Sequence, residues 1–487
     1  MSSNRSSKAA SIRAGLKHPV IDADGHWVEF SPVVSEALRH IGGDKAAEGF
    51  RSIEGLINRI LSFNDDERRV RRSAQQAWWS FPTAKAIDGA TALFPRLLYE
   101  RLDELGLDFA VLYPTGALGI AFNPDAETRH ATCRAFNTYI ADEFGPLSDR
   151  MTPAAVIPME TPDEAIAELE YAVGNLGLKV VVMGSLMRRP IEAIERKMPQ
   201  AARYAFWYDT VGLDSTYDYD PVWAKCEELG VAPTFHSGSR GFGLRTSPTN
   251  FVYNHIGHFA AAGEAVCKAL FMGGVTRRFP KVKFAFLEGG VGWACNLYAD
   301  LIGHWKKRSL DALDATNPAN FDRKLLSELA TRYGGPAVAE YLRKSRGEID
   351  QRAITRDFAP PQLDDFAACG IRRAEDIREL FASSFYFGCE ADDPINAWAF
   401  NRKFNPYGAR LNALFGSDIG HFDVPDMGEV LPEAHELVEE GLITTDDFRD
   451  FVFGNAARFW TNGNPDFFNG TRVETQVKDA ALMGAAK

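Results

Sequence analysis

Cysteine is scarce and scattered: the six residues (Cys133, Cys226, Cys267, Cys295, Cys369 and Cys389) form no CxxC pair anywhere in 487 residues. That pattern excludes a disulfide framework and a cysteine zinc site. Positive charge is also short, with 54 Lys and Arg against 66 Asp and Glu and a formal net charge of −12. Phosphate binding needs the opposite balance, so no nucleic-acid partner is expected, although one local arginine or a metal is enough to receive a small anion. No apolar run approaches the length that spans a bilayer, and no membrane partner is expected either. The first 18 residues, MSSNRSSKAASIRAGLKH, are polar and basic and lack the apolar core of a secretory signal. They are read as a disordered tail on a cytoplasmic, reduced protein. No internal repeat or long low-complexity tract appears. Hydrophobic residues at 45% and charged residues at 25% make the composition of a soluble globular protein.

What the chain does contain is a recurring short β-type run followed by a helical stretch, the signature of parallel α/β architecture. Eight runs are found: 19–23, FAVLYPT at 109–115, PAAVIPM at 153–159, KVVVMGS at 179–185, VAPTFHSGS at 231–239, KVKFAFLEGG at 281–290, SFYFGCEAD at 384–392 and LNALFGSDIGH at 411–421. Helical patterns fill most of the intervals. At 161–164, Thr161, Pro162, Asp163 and Glu164 form an N-cap, an N1 proline and an acidic first turn. Eight such units predict a closed (β/α)8 barrel over 19–462. Long helical insertions follow strands one and six, at about 31–100 and 307–380, and a shorter one rich in Arg and Tyr lies at about 187–219. Insertions of this kind lie over the barrel mouth as a lid or an oligomer contact, and a homo-oligomer is expected. Residues 463–487 are read as an extended C-terminal arm.

Polar residues collect at the C-terminal ends of these runs: Asp22, Asp24 and His26 on the first, His236 on the fifth, Glu288 on the sixth, Asp418 and His421 on the eighth. A barrel gathers its strand ends into one ring, so residues far apart in sequence meet in one cavity. Each has an ordinary role open to it alone. Asp22, Asp24 or Asp418 would serve as a cap, His236 as a satisfied core histidine, and Glu288 as the acidic first turn of a helix. One shared site accounts for all of them more simply, and imidazole with carboxylate is a donor set for Zn, Mn or Fe. His255 and His258, three apart, would share one helical face and with Glu288 and Asp418 offer a second metal position, although one metal is the simpler expectation. Arg240, and Arg245 beyond it, are candidates for holding a substrate carboxylate bidentately. Tyr113, Trp293 and His421 are candidates for lining the pocket. Glu390 and Asp392 are candidates for orienting a ligand from behind.

The chain resembles the amidohydrolase-related family that includes aminocarboxymuconate-semialdehyde decarboxylase and barrel decarboxylases of aromatic acids. The resemblance rests on VIDADGH at 20–26, RLDELGLDFAVLYPT at 101–115, APTFHSG at 232–238, FMGGVTRRFPKVKFAFLEGGVGW at 271–293, LFGSDIGH at 414–421 and FVFGNAARFW at 451–460. It implies that Asp24, His26, His236 and Asp418 hold a divalent metal, with Asp418 also a proton acceptor. Two positions depart from the family. Its first-strand His-x-His is Asp-x-His here, and its strand-six histidine is Glu288. An ionised carboxylate does not readily donate a proton to carbon, so Glu288 weakens decarboxylation and is a candidate ligand or catalytic group instead. The resemblance implies a hydrolase or lyase for a small organic substrate, carboxylated or cyclic, working by metal-activated water or metal-chelated decarboxylation. Two alternatives stand beside it: a Mn- or Fe-dependent oxygenase, since both departures favour hard oxygen ligands, and a non-catalytic barrel subunit.

Overall fold

An apolar run without alternation needs cover on both faces, and here it has it. The structure is a computed structural model and describes residues 7–77, 84–238, 246–317, 320–349, 363–421 and 423–485. The barrel strands are β1 (Ile21–Trp27), β2 (Phe109–Pro114), β3 (Met151–Ile157), β4 (Val180–Met183), β5 (Pro233–Phe235), β6 (Phe284–Phe286), β7 (Phe385–Glu390) and β8 (Asn412–Gly416). Every residue of β1 to β6 is buried. Each strand pairs in parallel with the next, from β1 to β8 in chain order. First and last strands meet at their C-terminal ends, where Asp418 N–H donates to Asp24 O at 3.0 Å and His26 N–H to Ile419 O at 2.7 Å. The result is a nearly closed (β/α)8 barrel, as predicted.

The connecting helices begin and end where local chemistry directs. Asp125 caps Ala126–Phe144 by accepting from Thr128 N, and Thr161 caps Pro162–Leu169 by accepting from Glu164 N. Between β6, β7 and the helix Ala374–Ser384, Phe286, Phe385, Phe387 and Phe381 form a ring-on-ring layer, with Phe381 and Phe385 centroids 5.1 Å apart. Each such buried ring contributes roughly 1.5–3 kcal/mol.

Residues 31–100 carry the helices Ser31–Ser62, Asp65–Arg71, Ala86–Leu93 and Pro95–Arg101. Arg68 Nε donates to Pro248 O at 2.7 Å and Gln75 N to Ser247 O at 2.9 Å, tying this segment to the loop after β5. The 187–219 segment holds an antiparallel hairpin, Met187–Pro190 against Phe206–Asp209. Helices Arg323–Tyr333 and Gly335–Lys344 lie within 307–380.

The two ends differ from the sequence expectation. Within the tail read as disordered, Lys8–Gly15 is a helix whose Ser7 cap accepts from Ala10 N and whose Ala9 is fully buried. Arg13 Nη2 donates to Asp108 Oδ1 at 3.1 Å. Eight residues with no apolar stripe have little helical stability alone, so contacts with the barrel decide the conformation. At the other end the chain is not an extended arm: Phe467 and Phe468 are buried against Phe109, and the helix Glu474–Ala485 follows. Among the described residues no helix is long and apolar enough to cross a membrane.

Candidate active site

The Asp-x-Asp-Gly-His end of β1 is shaped by a bulge, its register against β2 slipping between Asp22 and Gly25. A Cβ on Gly25 would lie 2.5 Å from Asp22 Oδ2, so only glycine lets that carboxylate fold back along the strand. Asp22 then accepts from Ser417 N at 3.0 Å, Ser417 Oγ at 2.5 Å and Asp24 N at 3.1 Å. Burial pushes its carboxyl up to about 6 against those hydrogen bonds. Asp22 is therefore the clasp that holds β1 to the end of β8. Gly420, at φ 98°, lets the turn after β8 close on β1, where a Cβ would meet His26 O at 2.5 Å.

The clasp brings five donors from four strand ends into one buried cluster. His26 Nε2 lies 3.0 Å from His236 Nε2, 3.7 Å from Asp24 Oδ1 and 3.6 Å from Asp418 Oδ1. His236 Nε2 lies 2.9 Å from Glu288 Oε2 and 3.8 Å from Asp24 Oδ1. His421 joins them, with Nδ1 2.6 Å from Asp418 Oδ1 and its ring stacked on His26 at 3.8 Å. Asp24, Glu288 and Asp418 are only 4%, 7% and 8% exposed. Glu288 and Asp418 both adopt left-handed backbone, at φ 57° and 49°, a conformation costly for residues other than glycine and held here by its surroundings.

Electrostatically the cluster is rich in buried acids. Burial pushes the Asp24 carboxyl up to about 8, with Glu288 adding to the rise and His236 opposing it. Burial, then Glu288, drives Asp418 well above the usual carboxylate range. His26 falls well below its ordinary value through burial and the neighbouring His421 and His236, and burial lowers His236 as well. Among the described residues no Lys or Arg forms an ion pair with Asp24 or Asp418. Asp24 Oδ1 is buried without a hydrogen-bond partner. A divalent cation fits this arrangement. It supplies positive charge, and two imidazole nitrogens 3.0 Å apart match adjacent ligands on bonds of roughly 2.1 Å. Two overlapping donor groups share His26: Asp24, His26 and His236, and His26, Glu288, Asp418 and His421.

The sequence pattern of the amidohydrolase family matches residues 21–335, a span that includes β1 to β6 and four of these donors. The chain belongs to the amidohydrolase family. It is a metal-dependent enzyme of that type. Among solved structures it is similar to an amidohydrolase from Mycobacterium avium subsp. paratuberculosis K-10, with TM-score 0.50 and 17% identity over 91% of this chain and 100% of that one. A 2,6-dihydroxybenzoate decarboxylase from Rhizobium matches with TM-score 0.47 and 13% identity over 91% and 99% of the two chains. A 5-carboxyvanillate decarboxylase from Sphingomonas paucimobilis does so with TM-score 0.46 and 18% identity over 91% and 98%.

In this amidohydrolase a cavity of about 450 Å³ opens above the cluster, lined by His236, Glu288 and His421 on the cluster side. Its other walls include Leu118, Phe122, Leu186, Arg188, Tyr208 and Phe259, none of which the sequence analysis singled out. The Arg and Tyr content of the 187–219 insertion was the one available signal. His255 and His258, the residues expected to offer a second metal position, line the cavity too, with their ring centroids 4.9 Å apart. Gly257, at φ 68°, breaks the helix between them, so they share no helical face, and among the described residues no group of three close donors includes either. Tyr113 is fully buried beneath the cluster, its ring 6.2 Å from His26 and 5.9 Å from His236, rather than lining the cavity. Trp293 is likewise not in the cavity: at the start of Gly292–Arg308 it stands edge-on to Phe286 and Phe387 between sheet and helix. Glu390 lines an adjoining recess with Asp393 and Asp423, whereas Asp392 lines neither space. Arg240 and Arg245 lie outside the described residues.

Proposed function

We propose that this chain is a divalent-metal-dependent hydrolase or decarboxylase acting on a small, carboxylated organic substrate in the cavity above β1, β5, β6 and β8. One observation carries the proposal: five buried imidazole and carboxylate donors, Asp24, His26, His236, Glu288 and Asp418, are brought together from four strand ends. These five are assigned as the ligands of a single Zn, Mn or Fe ion. When bound, such an ion supplies a Lewis acid that polarises a carbonyl or carboxylate oxygen.

The chain's own residues do the rest. Asp418 Oδ1, 2.6 Å from His421 Nδ1, is placed to take a proton and pass it to the imidazole, which faces the cavity. Stacking on His26 fixes the plane of that ring, so the proton moves along one direction. The apolar walls at Leu118, Phe122 and Phe259 exclude water from the body of the substrate. Hydrolysis and decarboxylation use the same Asp418–His421 pair and differ in where its proton goes, to a leaving group in one and to carbon in the other.

The test is metal content per chain on protein purified without chelator, beside an Asp24→Ala, His26→Ala double variant. About one ion per chain, lost in the variant, is the expected result. A protein that binds neither Zn, Mn nor Fe would end the proposal. With metal established, release of CO2 from carboxylated rings distinguishes decarboxylation from incorporation of solvent oxygen into product.

A further inference from the structure

The hairpin after β4 presents two consecutive arginines with opposite fates. Arg189 is buried, with Nε 3.1 Å from Asp209, Nη1 2.9 Å from Glu160 and Nη2 2.9 Å from the Tyr219 hydroxyl. Those bonds pin the hairpin to the barrel. Strand alternation turns Arg188 to the other face, where it pairs across the hairpin with Tyr208 and both line the cavity. Its guanidinium lies 3.8 Å over the Phe206 ring and gives one N–H to Arg203 O at 3.3 Å. Among the described residues it has no carboxylate partner. Stacking holds the fork flat, with its remaining N–H groups available.

The cavity is thus polarised. Its lining joins His236, Glu288 and His421 of the cluster, the apolar side chains Leu118, Phe122 and Phe259, and Arg188 of the hairpin, a permanent cation. We infer that Arg188, assisted by Tyr208, is an anion subsite that binds a second acidic group of the substrate, remote from the group that reacts at the cluster. A substrate that fits has a flat apolar body and two acidic ends. This inference rests on the proposed function for the identity of the reacting end, but the subsite itself does not require the metal. In a chain with net charge −12 a local arginine is what lets a dianion settle there.

Binding of isophthalate and of benzoate to the full chain, measured by calorimetry with manganese and again after chelation, tests it. Isophthalate should bind about ten- to hundredfold more tightly than benzoate, the range for charge-assisted hydrogen bonds. Arg188→Gln should erase that ratio, Arg188→Lys should restore part of it, and Tyr208→Phe should lower it less. All variants should keep wild-type circular dichroism and metal content, because the Arg188 side chain lies at the surface of the hairpin. Chelation should weaken both acids while leaving the ratio intact. A ratio near one in the wild type, a ratio unchanged in Arg188→Gln, or no saturable binding would overturn the subsite. Loss of the ratio in Arg188→Gln without any dependence on metal would instead uphold the subsite and remove the metal proposal.

Discussion

Asp88 and Asp24 are almost equally hidden from water, at 1% and 4% exposure, yet their surroundings are opposite. Asp88 meets Arg101 Nη1 at 2.8 Å, and the same nitrogen reaches Thr91 Oγ1 at 2.6 Å. Asp209 has Arg189, and Glu164 receives both Nε and Nη2 of Arg129. Asp24 has two imidazoles whose own protonation burial suppresses, and two further acids in the same cluster. At these three scaffold acids the fold places a guanidinium against the carboxylate. At the strand ends, among the described residues, Asp24 and Asp418 have none, a cost that a bound cation removes.

The contrast is sharpest if each half is broken separately. Arg101→Ala strands Asp88 in the interior and should lower stability by about 3–5 kcal/mol, read by denaturant unfolding, with metal content per chain unchanged. Asp24→Asn should do the reverse. Metal affinity should fall at least about a hundredfold, beyond what outer-shell partners are worth, while the metal-free protein unfolds no earlier than wild type because the cost of keeping a buried carboxyl protonated is gone. An Asp24→Asn variant that keeps its metal would remove the distinction between the two kinds of buried acid.

The last effect concerns pH. Asp24 stands at about 8 and Asp22 at about 6 in the folded protein, against an ordinary 3.8. A carboxyl raised on folding keeps a proton that the unfolded chain has lost, so its penalty is absent below pH 3.8 and grows as pH rises toward the folded value. Metal-free protein should therefore lose stability between about pH 4 and pH 8. The slope should flatten in Asp24→Asn and in metal-loaded protein, where the ion favours the charged form. Thermal melts across that range, with and without chelator, would show it.

The barrel and its donors were legible for one physical reason. Strands covered on both faces read as unbroken apolar runs, and the first polar residue after such a run must lie at a strand end. His236 and Glu288 satisfy that rule, Asp24 and His26 lie at the end of β1 itself, and Asp418 follows Ser417 just past β8. What failed to show depends on backbone breaks and side-chain directions. Spacing alone placed His255 and His258 on one helix, but the left-handed turn at Gly257 separates them. Trp293 follows Glu288 by five positions and still faces the sheet's outer layer, since the helix begins between them. Arg188 and Arg189 look equivalent in sequence, and only the hairpin register assigns one to the scaffold and the other to the cavity.

The clasp between Asp22 and Ser417 joins residues 395 positions apart. During synthesis the first-strand donors leave the ribosome with none of their partners yet made, and Asp418 follows only after nearly the whole barrel. With the proposed ligands, metal loading is for that reason a late event, available to a chain whose ends have met and closed to nascent or truncated forms. An ion held at the seam would also act as a rivet across the longest loop in the fold, so opening the barrel and releasing the ion become one step. The rate at which metal escapes is then a clock for the unfastening of the barrel itself.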